Sequence, residues 1–205
     1  MVWRHGRTAW NALGRFQGQI DVPLDDVGLA QARRGAQHLA SLKPSAIVSS
    51  DLERAATTAA QLADITGVEV TLDRGLRETD AGSWQGHTIA EIETTDAERF
   101  HAWRAGADVA AGGAETRSDL ARRGVAAVER ALDTIDDDGL LVAVTHGGLS
   151  RALIGRMLGL DVTQWGVLGG LSNCSWSVLG ETAVGWRLTE HNAASVPEPV
   201  IGDDR

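Results

Sequence analysis

The hydrophobic pattern of the chain alternates between strand-like and helix-like segments. Short runs of apolar and β-branched residues are typical of strands, and the longest is continuous enough to be buried on both faces. In other segments apolar residues recur every three or four positions, which predicts amphipathic helices. The alternation of the two predicts an α/β fold. The predicted strands are 45–50, 68–72 and 139–148, and the predicted helices are 23–42, 51–67 and 149–160.

Both ends of the chain and its middle depart from this alternation. Val2 and Trp3 are the stub of a first strand. Residues 80–116 mix turn signals with one short helical pattern, which predicts an insertion over the sheet, where substrate-selecting loops lie. Residues 173–179 and 183–192 predict a late pair of strands that forms an edge hairpin. The segment 195–205 carries prolines and charges and is expected to be a flexible tail.

The composition is that of an ordinary globular protein. The chain has 205 residues, 43% hydrophobic and 23% charged, so we expect a single domain over 1–205. It has no run of 18 apolar residues and no leader-like segment, and Cys174 is the only cysteine. We therefore expect a cytoplasmic protein without disulfides or a membrane span. The net charge of −9 argues against nucleic acids or anionic membranes as partners.

Charged side chains follow the predicted strands at points that a parallel sheet brings to one edge. Arg4 and His5 follow the first strand, Arg54 lies in the first turn after the second, and His146 ends the buried strand. Because ligands of open parallel sheets bind beyond the carboxyl ends of the strands, these side chains are expected to converge. Two arginines bind anions strongly, and an imidazole nitrogen is a competent nucleophile, which predicts phosphoryl chemistry. Glu78 is the candidate acid, since a nearby phosphate would favour its protonated form.

Five motifs carry these residues: "RHGRTAWN", "FQGQIDVPLDDVG", "SSDLERAATTA", "LRETDAGSWQG" and "THGGL". Their order and spacing resemble the histidine phosphatase superfamily, in its phosphoglycerate-mutase-like branch, over nearly the whole chain. The resemblance implies a three-layer α/β/α sandwich with a mostly parallel central sheet and a small cap insertion. It also implies phosphomonoester hydrolysis through a phosphohistidine. No metal or other cofactor is implied, because arginines and an imidazolium supply the positive charge.

The resemblance implies a role for each residue that matches a motif. His5 is the implied nucleophile. Glu78 is the implied acid for the leaving alcohol and afterwards the base for water, while Arg4, Arg54 and His146 surround the transferring group. The implied phosphate-binding residues are Arg4, Asn11, Gln17, Arg54, His146 and Gly147, the last through its backbone N–H.

The later segments "WGVLGGLSNCSWSVL" and "WRLTEHNAAS" resemble, more narrowly, the glucosyl-3-phosphoglycerate phosphatases of actinobacteria. This implies a small phosphorylated metabolite as substrate, whose carboxylate would suit a cation near the cap. The family usually has Gly-Glu-Ser before the helix that follows the cap. Here Glu115 is followed by threonine, which leaves the contacts of this loop open. The candidates to contact the rest of the substrate are Arg99, Arg104, Arg117, Trp84 and Trp103.

Two other functions stay open on the sequence. A cofactor-dependent phosphoglycerate mutase uses the same pocket but must hold a second phosphate, and 80–116 has few basic residues for it. A phosphate-binding relative without catalysis usually lacks the nucleophile, an arginine or the acid, all of which are present. Relatives often dimerise through an edge strand, so 173–189 is the candidate surface for a homodimer. Relatives also have four or five extended residues before the first motif, so whether the short start is native, trimmed or misassigned stays open.

Overall fold

The structure, a computed structural model, describes residues 1–196. Residues 197–205, and with them most of the predicted tail, lie outside the described residues. The strands are β1 (Val2–Arg4), β2 (Ala46–Ser49), β3 (Val70–Leu72), β4 (Leu141–Thr145), β5 (Trp176–Thr182) and β6 (Gly185–Ala193). The helices are α1 (Ala9–Leu13), α2 (Asp26–Ala40), α3 (Glu53–Thr66), α4 (Ile89–Thr95), α5 (Ala97–Arg104), α6 (Arg117–Leu132) and α7 (Gly147–Met157).

The strands form one sheet in the order β3-β2-β4-β1-β5-β6. The first four in this order are parallel to one another, whereas β5 is antiparallel to β1 and β6 is antiparallel to β5. The prediction of a mostly parallel sheet with a late hairpin at its edge is confirmed. Although β1 is short, it is central, because Trp3 pairs with Val144 of β4 and with Trp176 of β5.

Helices cover both faces of the sheet, and each face has its own hydrophobic cluster. Val2 and Trp3 point to opposite faces, as successive strand residues must. Val2 shares a cluster with Leu149 of α7 and with residues of α6, whereas Trp3 shares the other with Ala36 of α2 and Ala59 of α3. Each large side chain buried in these clusters contributes about 1.5–3 kcal/mol to folding. The predicted three-layer sandwich is confirmed.

Several predicted boundaries are wrong by a few residues. The strand predicted for 68–72 begins at Val70, and the one predicted for 139–148 ends at Thr145. His146 has an extended backbone and is the N-cap of α7, so the helix begins at Gly147 instead of 149. Strand β4 passes directly into helix α7, so the sequence has no turn residues that would indicate the boundary.

Helices α1 and α5 are absent from the prediction, and α6 is implied only by the family resemblance, as the helix that follows the cap. Helix α1 has five residues and is held by a capping box, in which Thr8 and Asn11 bond reciprocally. Helix α6 is long and begins at an ordinary N-cap, where the Thr116 hydroxyl accepts from the Asp119 N–H. Its small buried residues, such as Gly124 and Ala127, give a weak apolar pattern between arginines.

The segment predicted to be the cap contains α4 and α5 and has a hydrophobic cluster of its own. Phe16, from the loop after α1, packs into it against Trp84 and Phe100, whose ring centroids are 5.5 Å apart. Trp84 is 1% exposed and donates to the Asp96 carboxylate over 2.9 Å, so it is a packing residue. Within residues 1–196, no helix combines the length and the apolarity needed to cross a membrane.

Candidate active site

His5 and His146 lie side by side because β1 and β4 are paired in parallel register. Arg4 is opposite Thr145 in the ladder, and the His5 N–H donates to the Thr145 carbonyl over 2.9 Å. The two imidazole centroids are 5.0 Å apart. The side chains of Arg4, His5, Arg54 and His146 are at most 2% exposed, and we call this group the histidine crevice.

The chain after His5 turns tightly against the start of α2. A Cβ atom at Gly6 would lie 2.4 Å from the Gly28 carbonyl oxygen, and one at Gly28 would lie 1.9 Å from the Arg7 carbonyl oxygen. Neither position admits a side chain without moving backbone. The Gly6 N–H donates to the Thr58 hydroxyl over 3.1 Å, which ties the turn to α3. The glycine that follows His5 is therefore required by this close approach.

The hydrogen bond of the His5 ring determines which of its two nitrogens keeps a lone pair. Its Nδ1 lies 2.7 Å from the Gly6 carbonyl oxygen, which can only accept, so Nδ1 carries the proton. In the neutral ring Nε2 then holds a lone pair. The backbone that positions the histidine thus also sets its tautomer.

Arg54 lies in the first turn of α3 and is 0% exposed. Its Nη1 donates to the Ile20 carbonyl over 2.9 Å, and its Nη2 donates to the Gly18 carbonyl over 2.8 Å. Its Nε lies 3.2 Å from His146 Nδ1, and this donor makes Nδ1 the acceptor. His146 therefore carries its proton on Nε2, which donates to the Ser50 hydroxyl over 2.9 Å.

Burial and the arginines keep both imidazoles neutral. Burial is the main cause that lowers the pKa of His5 well below its ordinary value, and the charges of Arg54 and Arg4 lower it further. Burial, Arg54 and His5 together lower the pKa of His146 in the same way. The expectation of an imidazolium in this site differs from the structure, in which Arg4 and Arg54 carry the positive charge of the crevice.

The side chains of Asn11 and Gln17 are both oriented by hydrogen bonds from Thr8. The Thr8 N–H donates to Asn11 Oδ1 over 3.1 Å, and the Thr8 hydroxyl donates to Gln17 Oε1 over 2.9 Å. Both amides are buried. Because Thr8 engages the two amide oxygens, each amide presents its NH₂ group on the opposite side, as a donor suited to an anion.

Glu78 is held at the N-terminus of α7. Its Oε2 accepts from the Gly148 N–H over 2.9 Å, and its Oε1 accepts from the Leu149 N–H over 3.0 Å and the Thr79 N–H over 2.8 Å. Arg123 donates to the Glu78 carbonyl over 2.7 Å, which fixes the backbone beneath the carboxyl. The side chain is 8% exposed and therefore accessible from one side.

Arg4 and Gly147 complete the set of predicted residues. Arg4 Nη1 donates to the Leu171 carbonyl, and the arginine charge reaches both histidines, whose pKa values it lowers. Gly147 follows His146 and is the first residue of α7, where a backbone N–H has no acceptor within the helix. All eight predicted residues lie at the carboxyl edge of the sheet or on the segments that pack over it.

A cavity of about 130 Å³ opens beside Glu78, between the cap and the first turns of α6 and α7. We call it the cap cavity. Two of the three arginines proposed from sequence, Arg104 and Arg117, line it. Arg99 instead pairs with Asp96 over 3.1 Å and is half-exposed. The residues of the cavity used below are Glu78, Trp103, Arg104, Arg117, Gly148 and Arg151.

Sequence reasoning missed three residues of this region. Ser50 accepts from His146, and Arg151 lines the cap cavity. Arg123 pairs with Glu115 over 2.7 Å, and Glu115 also accepts from the Asp80 N–H. The loop at Glu115, which departs from the Gly-Glu-Ser of the family, therefore stabilises the backbone near Glu78. Arg151 could have been found, because it lies three positions after Gly148 and thus on the same face of α7.

The comparison with family models decides the class of the protein. The model of the histidine phosphatase superfamily (branch 1) matches residues 1–194. The chain belongs to this superfamily. It is therefore a phosphatase, a hydrolase of phosphate monoesters.

Individual relatives agree over nearly the full length of this histidine phosphatase. A glucosyl-3-phosphoglycerate phosphatase of Mycolicibacterium vanbaalenii is 42% identical over 212 residues, which cover 95% of this chain and 94% of that protein. The Mycobacterium tuberculosis protein of the same name is 41% identical over 210 residues, with the same coverage. A solved structure of a mycobacterial glucosyl-3-phosphoglycerate phosphatase in complex with VO₃ has a TM-score of 0.88 and 41% identity and covers 94% of this chain and 98% of its own.

Proposed function

We propose that this histidine phosphatase hydrolyses its substrate through a phosphohistidine formed on His5. The observation that carries the proposal is the lone pair on His5 Nε2, in a buried crevice that holds two arginine charges and a second neutral imidazole. A neutral nitrogen attacks phosphorus, whereas an imidazolium has no free pair. Because the pKa of His5 is lowered, its ring is neutral at neutral pH and the Nε2 lone pair is available for attack.

The first half-reaction joins His5 to phosphorus. The Nε2 lone pair forms the N–P bond while the P–O bond to the alcohol breaks, and the protonated Glu78 carboxyl gives its proton to the leaving oxygen. In the second half-reaction Glu78 takes a proton from water, whose oxygen attacks phosphorus. The N–P bond then breaks, phosphate leaves, and both His5 and Glu78 return to their starting states.

The surrounding groups stabilise the charge that spreads over the phosphoryl oxygens. Arg4 and Arg54 supply positive charge, and the amides of Asn11 and Gln17 supply neutral donors. The Gly147 N–H adds a donor at the start of α7. We propose that these groups do without a metal or another cofactor. Among the described residues, no group of three or more His, Cys, Asp or Glu side chains is arranged to hold a metal ion.

The substrate that the comparisons favour is glucosyl-3-phosphoglycerate or a related small phosphorylated metabolite. Two relatives above 40% identity are named for hydrolysis of that ester. The cap cavity beside Glu78 is the place for the alcohol part of such an ester. The single free thiol of Cys174 and the edge strand β6 support a cytoplasmic enzyme and a homodimer through the late hairpin.

One observation favours a second function, that of a cofactor-dependent phosphoglycerate mutase. Arg117 and Arg151 bring to the cavity basic groups that 80–116 alone does not supply. A mutase would use them for a second phosphate. It would transfer the phosphoryl group from His5 to another alcohol before water reaches it.

A substrate panel tests these functions in one assay. It compares kcat/KM for glucosyl-3-phosphoglycerate, 3-phosphoglycerate and unrelated sugar phosphates, with and without a chelator. We expect phosphate release, preference for glucosyl-3-phosphoglycerate and no effect of the chelator. A requirement for added Mg²⁺ would contradict the metal-free mechanism. Isomerisation of 3-phosphoglycerate in the presence of 2,3-bisphosphoglycerate, without net phosphate release, would identify a mutase.

A further inference from the structure

The segment that carries Glu78 has little regular structure of its own. After β3 it forms a single 3₁₀ turn, Arg74–Leu76, and then runs without helix or strand as far as Ala81. The N–H groups of Gly148 and Leu149 orient the Glu78 carboxyl, but these bonds reach only the side chain. A general acid must lie within hydrogen-bond reach of the leaving oxygen. The backbone of this segment, which we call the acid segment, therefore needs support from elsewhere.

Arg123 of α6 supplies that support with every donor it has. Its Nη1 donates to the carbonyl of Gly75 over 2.9 Å and to that of Arg77, and its Nη2 donates to the carbonyl of Glu78 over 2.7 Å. Its Nε and Nη2 also donate to the two oxygens of Glu115, over 2.7 and 2.9 Å. A guanidinium has five N–H donors, and all of them are engaged here. Arg123 thus has no donor left for a ligand, and its contacts indicate a positioning role.

Glu115 attaches the same segment to the end of the cap. Its Oε2 accepts from the Asp80 N–H over 2.9 Å, two positions after Glu78. Its carbonyl accepts from the Ala111 N–H over 2.9 Å, which closes the last turn of the cap. The side chains of Arg123 and Glu115 are only 24% and 14% exposed, and a bidentate pair in such a place has a well-defined geometry. The pair therefore joins α6, the end of the cap and the acid segment.

We propose that Arg123, paired with Glu115, is a positioning residue that keeps the Glu78 carboxyl at the leaving oxygen. This inference rests on the proposed function, because it takes Glu78 as the acid of the first half-reaction. Without Arg123 the acid segment would lose three carbonyl bonds, and the Gln19 amide would still reach the Glu78 carbonyl only over 3.3 Å. A displacement of about 1 Å can cost about 100-fold in rate. The loss should fall on the step in which Glu78 transfers a proton.

The leaving group separates loss of positioning from general damage to the site. Glycerate leaves 3-phosphoglycerate as an alkoxide that needs a proton, whereas p-nitrophenolate leaves its ester without one. In Arg123→Met, single-turnover release of glycerate should slow about 10- to 100-fold, and that of p-nitrophenol less than about threefold. An equal loss for both esters in a folded variant, or no loss for either, would overturn the inference.

Arg123→Lys separates the charge of the side chain from its geometry. The charge of Arg123 reaches His146, whose pKa it helps to lower. Lysine keeps that charge but has three donors in place of five, so it should recover only part of the loss for 3-phosphoglycerate. It is also the milder change if the Met variant misfolds. Full recovery in Arg123→Lys would mean that charge alone matters, which contradicts a positioning role.

The Glu78→Gln background gives a readout that a merely structural role would not produce. If Arg123 acts through the Glu78 carboxyl, adding Arg123→Met to Glu78→Gln should not change the ratio of the two release rates any further. Additive effects on that ratio would show that Arg123 acts on another group, and the inference would be wrong. Glu115→Gln, which keeps an acceptor for the Asp80 N–H but not the charge, should give a ratio between those of the wild type and Arg123→Met.

Arg122→Met is the matched control. Arg122 is the preceding residue of α6, its side chain is 66% exposed, and it pairs with Asp119 over 2.6 Å. Its two release rates should equal those of the wild type. Failure of the proposed function would look different from failure of this inference. In that case the wild-type enzyme would form no phosphoenzyme, or Glu78→Gln alone would slow both esters equally.

Discussion

The histidine crevice and the cap cavity lie next to each other, but their polar groups are held in different ways. In the crevice, buried polar groups bond to one another and to backbone carbonyls, as Arg54 does with Gly18, Ile20 and His146. The lining of the cavity is partly apolar, and its arginines belong to the cap and to helices α6 and α7. The crevice is therefore fixed before any ligand arrives, as electrostatic preorganisation requires. The cavity instead has three arginines and one carboxylate, Glu78, among the described residues that line it.

In the proposed mechanism, phosphoryl transfer takes place in the crevice, and the cavity selects the substrate. Every phosphate ester presents the same group to the crevice, so changes there should affect all substrates alike. In the proposed binding mode the cavity meets only the alcohol, so changes there should depend on which alcohol is used. Glu78 concerns both regions, because it lines the cavity and, in the proposed mechanism, protonates the oxygen that leaves the crevice.

The largest effect is expected for His5→Ala. The variant lacks the proposed nucleophile, so turnover should fall to background for every substrate, and no acid-labile phosphoenzyme should form. The measurement is hydrolysis of p-nitrophenyl phosphate and of 3-phosphoglycerate, with trapping of the phosphoenzyme by rapid acid quench. The His38→Ala variant, which changes an exposed histidine that stacks on Trp176, is the control. Unchanged hydrolysis by the His5 variant would remove this residue from its role.

The Glu78→Gln substitution should slow the cleavage of esters with poor leaving groups far more than that of esters with good ones. The amide cannot protonate an alkoxide, so kcat for 3-phosphoglycerate should fall about 10²–10⁴-fold. p-Nitrophenolate leaves without protonation, so the rate of its release in the first half-reaction should change much less. Single-turnover release of p-nitrophenol measures that step directly. An equal loss for both esters would mean that Glu78 acts by positioning α7, and not as the acid.

Arg54→Ala should cost about 10²–10³-fold in kcat/KM, by analogy with loss of one oxyanion donor. The loss should be the same for aryl and alkyl phosphates, since Arg54 belongs to the crevice. Because the side chain also holds two backbone carbonyls, Arg54→Lys and a thermal unfolding curve accompany the assay. A change below threefold in a folded variant would make Arg54 a structural residue.

The two regions also differ in how far the sequence could predict them. The crevice residues stand at the ends of β1 and β4 and in the first turn of α3, so their convergence follows from a parallel sheet and short motifs. The cavity depends on how the cap, α6 and α7 pack, which no local pattern records. For this reason Arg99 and Arg117 looked equivalent in the sequence, although only Arg117 lines the cavity. Arg151 was missed because it lies beyond its motif.

A smaller effect is expected from Trp103→Leu in the cavity. The indole lies 4.4 Å from the Arg117 guanidinium carbon, and such a contact is worth about 0.5–1 kcal/mol at a partly exposed site. KM for 3-phosphoglycerate should therefore rise about two- to fivefold, with kcat little changed. Trp186→Leu, on the late hairpin, is the control and should leave KM unchanged. A fall in kcat as large as the rise in KM would show that Trp103 supports the crevice as well.

The smallest effect concerns pH, and it tests whether the crevice keeps its histidines neutral. Since burial and two arginines lower the pKa of His5 well below its ordinary value, the nucleophile stays unprotonated as the pH falls through about 6.5. Once corrected for ionisation of the substrate, kcat/KM for p-nitrophenyl phosphate should thus change less than about twofold between pH 7.5 and 6. In Arg54→Lys the positive charge remains, so the profile should stay flat, whereas in Arg54→Ala the acid limb should move to higher pH. An acid limb near pH 6.5 in the wild type would mean that His5 titrates like an exposed imidazole, and the electrostatic contrast between crevice and cavity would be wrong.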